Sequence, residues 1–79
     1  MTTVMRWRGF RVCIYPPPRE HGPSHAHVVK DGVHVIVELE PVSVKKVRGH
    51  LSNADVAMAL ELVKANVEMI LAAWRILHG

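Results

Sequence analysis

Cysteine, aromatic residues and long hydrophobic runs are scarce in this chain, and each scarcity excludes a class of protein. Cys13 is the only cysteine in 79 residues, so no disulfide can form within the chain, as is usual in a reducing compartment. No apolar run reaches the roughly 18 residues that a membrane-spanning helix needs. The first twelve residues lack the apolar core of a secretory signal. We therefore expect a soluble cytoplasmic protein.

The sequence motifs of several enzyme classes are also missing. The chain contains no Gly-rich nucleotide-binding loop, no nucleophile elbow and no recognisable cysteine–histidine dyad. Aromatic residues make up only 5%, so aliphatic side chains must fill most of the core. Trp7 and Trp74 are interpreted as packing residues rather than as platforms for base stacking.

Strand signals occupy the first fifty residues, and we interpret all 79 residues as one domain. Apolar and polar side chains alternate from residue 8 to 15, which is typical of a strand, and the three prolines at 16–18 end it because proline offers no backbone donor. Asp31-Gly32 predicts a two-residue hairpin turn. The predicted strands span about 8–15, 25–30, 33–40 and 44–48.

Helical spacing begins after residue 52. Apolar residues recur at spacings of four and three from Val56 to Leu77, and Ser52 with Asp55 three residues later forms a capping signal. We predict one long helix over about 53–78, with a break near Asn66 as the alternative. The predicted fold class is α+β, with a three- to four-stranded antiparallel sheet covered on one face by this helix.

A second apolar row lies beside the main helical stripe, at Met58, Leu62, Met69 and Ile76. One face of a small sheet does not cover two rows, so the second row indicates a small cognate partner protein or self-association through the C-terminal helix. The alternative is that these side chains line the edge of the core.

Three histidines fall within seven positions, at 21, 25 and 27. If Asp31-Gly32 is the turn, counting outward pairs His25 with Glu38 and His27 with Ile36. Alternate residues then share a face, and Val28 and Val35 belong to the face that the helix should cover. The polar face is predicted to hold His25, His27, Val29, His34, Ile36 and Glu38.

Three interpretations of the histidines stay open. His21, His25 and His27 could hold one zinc or another divalent metal ion with an open fourth position. Without a metal, His25 and His27 could act in acid–base catalysis or contact phosphate, with Glu38 fixing the imidazole tautomer of His25. In the third interpretation, Glu20, Glu38 and backbone carbonyls satisfy the histidines and the cluster organises the loop. The remaining histidines, at 34, 50 and 78, are interpreted as surface residues.

Positive charge is concentrated in two segments. The formal net charge is +3 and the estimated isoelectric point about 9.5. Such clusters can hold the phosphates of RNA or DNA, and the alternative is an ordinary solvated face. The candidate contacts are Arg6, Arg8, Arg11, Lys45, Lys46 and Arg48.

The histidine block resembles a known family. Glu20-His21-Gly22-Pro23-Ser24-His25-Ala26-His27-Val28, preceded by Ile14-Tyr15 and followed by Gly49-His50-Leu51 and a late Trp74, is similar to the small bacterial family catalogued as domain of unknown function 4160. Ser24 stands where that family usually has a second proline, and Ala26 where it usually has phenylalanine. The resemblance implies that His21, His25 and His27 are functional, with Pro23 shaping the loop. It also implies a suspected toxin–antitoxin pairing with a neighbouring small protein.

Two functions follow as hypotheses. The favoured one is a non-enzymatic component of a toxin–antitoxin or regulatory pair, which binds a partner protein through the helix and RNA or DNA through the basic residues. The alternative is a small metal-dependent hydrolase or nuclease in which His21, His25 and His27 hold the metal and Glu38 orients a ligand or acts as general base.

Overall fold

A computed structural model describes residues 1–17 and 22–79 of the chain. Five strands form one antiparallel sheet in the order β1-β2-β3-β4-β5, and two helices follow it. The predicted α+β class is confirmed, but the predictions of three to four strands and of one long helix are wrong. The elements are β1 Thr2–Trp7, β2 Phe10–Ile14, β3 His25–Lys30, β4 Val33–Leu39, β5 Val42–Arg48, α1 Asn53–Ala65 and α2 Val67–His78.

The strand missing from the prediction is β1. Arg8 and Gly9 form a tight turn with φ of 46° and 84°, so the segment predicted as a strand from residue 8 starts inside a hairpin. A bulge between Thr3 and Met5 shifts the register of β1 by one residue. This shift disrupts the period-two pattern by which a strand is recognised in a sequence.

The hairpin at Asp31-Gly32 forms as predicted. Asp31 and Gly32 have φ of 50° and 77°, and the six predicted pairs from Lys30–Val33 to His25–Glu38 are all present. Positive φ at both central residues matches the twist of the flanking strands, so this turn fixes the register. The separation of the two sheet faces is therefore confirmed for β3 and β4.

Both edge strands carry an irregularity. In β5, Ile36 pairs with Lys46 while Val37 pairs with Val44, which leaves Lys45 as the bulged residue. The other edge strand, β1, is bulged at Val4. Bulges and charged side chains at sheet edges hinder pairing with another chain.

The core lies between one face of the sheet and the two helices. Val12, Val28, Val35 and Val37 are fully buried on the sheet side. The helix stripe predicted from Val56 to Leu77 supplies the other side. Its most buried members are Val63, Ile70 and Trp74.

Asn66 separates the two helices. Its backbone, at φ −125° and ψ 19°, leaves the helical region, and its side-chain Nδ2 donates to the carbonyl of Leu62 at 2.9 Å. Its own carbonyl then accepts from the N–H of Ile70 at 3.0 Å, which starts α2. An asparagine side chain that competes for backbone groups explains why the helix breaks here.

The N-terminal end of α1 agrees in part with the capping pattern predicted from Ser52 and Asp55. Ser52 caps the helix by accepting from the N–H of Asp55 at 3.1 Å, as predicted. The carboxylate of Asp55 accepts instead from Nζ of Lys30 at 3.1 Å and so joins the helix start to the end of β3.

Among residues 1–17 and 22–79, neither helix has the length and apolar character that crossing a membrane requires.

Candidate functional site

The sheet face opposite the one that Val12, Val28 and Val35 occupy carries a row of paired residues that crosses all five strands, with an arginine on three of them. Arg6 pairs with Arg11, Arg11 with Val29, Val29 with His34, and His34 with Arg48. Directly paired residues share a face, so these five side chains project from the same side. We call this side the outer face and the three arginines Arg6, Arg11 and Arg48 the cationic row; His34 lies beside Arg48 in the same line of pairs.

The cationic row unites charges that are far apart in the sequence. Arg6 lies on one edge strand and Arg48 on the other, across four strand spacings of about 4.8 Å each, or roughly 19 Å in total. Lys46 extends from the next pair along β5, opposite Ile36. The two basic clusters of the sequence therefore form one surface.

Two other predicted basic residues lie beside the row rather than in it. Arg8 occupies the β1–β2 turn, with its guanidinium carbon 4.9 Å from the centre of the Trp7 ring. Lys45 is the bulged, exposed residue of β5. Arg8 lies at the end of the sheet nearest the row, and Lys45 lies on the edge strand β5. Their positive charges therefore extend the basic surface beyond the row itself.

Arg11 is the member of the row whose guanidinium lacks a hydrogen-bond partner at a buried atom, within the part of the chain that the structure describes. Its Nε is buried and has no hydrogen-bond partner among the described residues, while its Nη2 lies 3.9 Å from Sδ of Met1. Buried donors are nearly always paired, so this guanidinium N–H is an exception among the described residues. Arg6 and Arg11 line a shallow recess of about 250 Å³ with Gly9, Val29, Asp31 and Gly32.

Negative charge is sparse on this part of the molecule. Within the five strands Glu38 is the single carboxylate, and it lies at the opposite end of the outer face, paired with His25 and Ser43. Asp31 in the β3–β4 turn is the acidic residue closest to the row in sequence, and it lines the recess. The row is therefore not neutralised by strand carboxylates.

The opposite end of the outer face holds the predicted histidine site. His25 and His27 are 7% and 3% exposed. Nδ1 of His25 donates to the carbonyl of Pro23 at 2.9 Å, because a carbonyl only accepts. Glu38 lies opposite His25 in the predicted register, but the hydrogen bond found for Nδ1 of His25 is to Pro23 rather than to Glu38. Pro23 thus holds the His25 ring through Nδ1, and the predicted role of Glu38 remains a prediction.

His27 contacts a histidine that the sequence argument treated as a surface residue. Nδ1 of His27 lies 3.3 Å from Nδ1 of His34, so one ring donates and the other accepts. The predicted register could have indicated this contact, because it makes His34 the diagonal neighbour of His27. His34 also pairs with Arg48 of the cationic row, so it joins the two ends of the outer face.

The spacing of this histidine pair is compatible with a metal. Two imidazole nitrogens on one tetrahedral zinc, at Zn–N distances of about 2.0 Å, lie roughly 3.3 Å apart. Across residues 1–17 and 22–79, however, no three His, Cys, Asp or Glu side chains come together in a way that could hold a metal ion. His21, the third predicted ligand, lies outside the described residues, as does Glu20.

Aromatic rings pack around the histidines and tie them to α2. The Tyr15 ring meets His27 edge-on at 4.6 Å, and Trp74 lies 5.1 Å from His25 and stacks on His78 at 3.6 Å. Nε2 of His78 donates to the carbonyl of Tyr15 at 2.8 Å, so this histidine is not the free surface residue that the sequence suggested. We call Tyr15, His25, His27, Trp74 and His78 the aromatic cluster.

Of the three histidines interpreted as surface residues, the remaining one, His50, is exposed, as predicted. The aromatic cluster thus supports a structural contribution from His25 and His27. Their predicted roles in catalysis and metal binding remain predictions.

A family model described as Domain of unknown function (DUF4160) matches residues 9–75. The match includes the histidine block and Trp74, and it confirms the resemblance found in the sequence. No curated protein and no solved structure matches the chain.

Proposed function

The chain belongs to the DUF4160 family, and we propose that this member is a non-enzymatic binding module whose outer sheet face binds the phosphate backbone of a nucleic acid. The cationic row carries the proposal. Register places three guanidinium groups and one imidazole in a line across the sheet, with Lys46 beside them.

Guanidinium groups suit this task because their donors form a planar fork that matches two phosphate oxygens. Arg6 and Arg48 are exposed at the two ends of the row, where their forks can reach a ligand. Arg11, between them, holds a buried Nε with no partner among the described residues. Arg11 also lines the shallow recess beside Arg6, where a phosphate group would meet its guanidinium.

The proposed contacts are to the backbone rather than to the bases. On the outer face Tyr15 packs against His27, and Trp7, on the other side of β1, lies under the guanidinium of Arg8. Base stacking on single strands requires aromatic faces that are open to the ligand. We therefore expect binding that depends strongly on salt and weakly on sequence.

The biological setting forms a separate part of the proposal. We propose that the module acts as one half of a toxin–antitoxin or regulatory pair, which rests on the family resemblance. Contact with protein is assigned to the helices, which lie on the other side of the sheet. Nucleic acid and protein would then bind different faces.

Fluorescence anisotropy with labelled single-stranded RNA, duplex RNA and duplex DNA tests the proposal at low salt. Arg6→Ala and Arg48→Ala should each weaken binding about tenfold, since each removes a charge-assisted contact. Lys64→Ala is the matched control, because Lys64 is an exposed cation of α1 that lies 3.8 Å from Glu61. Failure of the wild type to bind any of the three probes would overturn the proposal. Equal losses in Arg6→Ala and Lys64→Ala would overturn it too.

A metal-dependent hydrolase or nuclease is the second candidate, and the 3.3 Å separation of the His27 and His34 nitrogens favours it. His21, His25 and His27 remain its proposed ligands, with His34 as an alternative to one of them, so that a fourth position stays open for water. Zinc and nickel titrations followed by histidine side-chain NMR test it. One saturable site that shifts His27 and His34 together and disappears in His34→Ala, but not in His50→Ala, would support it. Histidine signals that do not respond to either metal would exclude it.

A further inference from the structure

The solvent-facing side of the two helices is more apolar than the exposed face of an ordinary amphipathic helix. Ile76 is 83% exposed, Met69 46% and Met58 41%. The exposed apolar residues of the two helices are Ala54, Ala57, Met58, Ala65, Met69, Ala72 and Ile76, and the exposed polar ones are Asn53, Glu61, Lys64, Glu68 and Arg75.

On α2 the exposed apolar side chains form a narrow stripe. Met69, Ala72 and Ile76 are spaced by three and four residues, so they follow one side of the helix. Ala72, the small residue at the centre, allows another helix to approach closely. The second apolar row predicted from the sequence is thus exposed at Met58, Met69 and Ile76, whereas its fourth member, Leu62, is buried in the core.

Two opposite charges flank this stripe. Glu68 lies near the start of α2 and Arg75 seven residues later, both exposed, and neither forms an ion pair with another described residue. Their midpoint falls between Leu71 and Ala72. The stripe and its charges are therefore self-complementary when a second helix runs in the opposite direction.

We propose that the occupant of this surface is a second copy of the chain, with the two α2 helices antiparallel about a two-fold axis at Ala72. Glu68 of each copy then lies beside Arg75 of the other, and Met69 lies beside Ile76. A two-fold interface uses the same patch on both subunits, which is what self-complementary charges provide. A chain of 79 residues also gains apolar burial that its own small core cannot supply.

The proposed dimer leaves both outer faces free. The helices lie on the opposite side of each sheet from the cationic row, so each copy presents its own row to solvent. Dimer formation and nucleic-acid binding can therefore fail separately. Variants of the outer face should leave the dimer intact.

Sedimentation equilibrium of the full chain tests the proposal. The wild type should form dimers. Glu68→Arg and Arg75→Glu alone should each raise the dimer dissociation constant about tenfold, since each replaces two attractive contacts by repulsive ones. The double variant Glu68→Arg/Arg75→Glu should restore the wild-type constant, because the charges again meet in opposite pairs. Lys45→Glu, an exposed charge reversal on β5, is the control and should not change the constant.

Circular dichroism of each variant separates loss of the dimer from loss of the fold. A wild type that stays monomeric up to about 1 mM would overturn the proposal and leave the stripe to a different protein. Dimers that both single charge reversals leave unchanged would overturn the antiparallel arrangement. Failure of the double variant to regain the wild-type constant would contradict it as well.

Discussion

The two ends of the outer sheet face are built from the same alternating pattern but treat their polar groups in opposite ways. At the end with the two tight turns, Arg6 and Arg48 are exposed and Arg11 keeps a buried donor without a described partner. At the other end, His25 and His27 are buried against Tyr15 and Trp74. Matched, buried groups stabilise a fold, whereas exposed charged groups such as Arg6 and Arg48 are available to a ligand. We therefore propose that the aromatic cluster contributes stability and that the cationic row binds the ligand.

The largest expected effect is on the aromatic cluster. Trp74→Ala should lower the free energy of unfolding by about 3–5 kcal/mol, because it removes a buried ring that contacts both His25 and His78. Denaturant titration measures the loss. Trp7→Ala, at the other end of the sheet, is the matched control and should cost less, since Trp7 is only partly buried. Equal costs for the two changes would remove the distinction between the ends.

The next effect concerns binding and leaves the fold intact. Arg6→Glu combined with Arg48→Glu should weaken nucleic-acid binding by about a hundredfold, as two attractive contacts become repulsive. Both residues are exposed, so the free energy of unfolding should change by less than about 1 kcal/mol. Anisotropy and denaturant titration of the same protein give the two values. Undiminished binding would contradict the assignment of the row.

Arg11→Met separates the two roles within one residue. The change keeps an unbranched chain and removes the buried Nε that has no described partner. We expect unfolding free energy to stay the same or rise by up to about 1 kcal/mol, because a desolvated donor without a partner is unfavourable. Nucleic-acid binding should fall about tenfold. A clear loss of stability together with unchanged binding would show that Arg11 is structural.

The smallest effect is expected where the two ends meet. His34→Ala removes the hydrogen bond between its Nδ1 and that of His27, and we expect the free energy of unfolding to fall by about 1 kcal/mol. His50→Ala, an exposed histidine, should leave stability unchanged. A neutral result for both would mean that the histidine pair contributes nothing to the fold.

The sequence predicted the strand register at the histidine end because a single local signal determined it. Asp31-Gly32 fixes six strand pairs, and these place His25 opposite Glu38 and His27 opposite Ile36. Contacts that depend on helix position were out of reach, since the stacking of Trp74 on His78 requires the path of α2 after Asn66. The same limit made His78 look like a surface residue.

The cationic row could not be derived in the same way. The arginines themselves were recognised, but joining Arg6 to Arg48 requires the registers of all five strands. One of those strands, β1, was hidden by its bulge and by the unusual turn at Arg8 and Gly9. A bulge in β5 removes Lys45 from the pairing, so the register between β4 and β5 could not be read from the sequence either.

The salt dependence of nucleic-acid binding by the wild type tests the central claim most directly. If Arg6, Arg8, Arg11, Lys46 and Arg48 contact the backbone of a duplex, the logarithm of the binding constant should fall against the logarithm of salt concentration with a slope of about −3 to −5. A slope in that range that becomes shallower by about 2 in Arg6→Ala/Arg48→Ala would support the account. A slope near zero, or one that the double variant does not change, would contradict it.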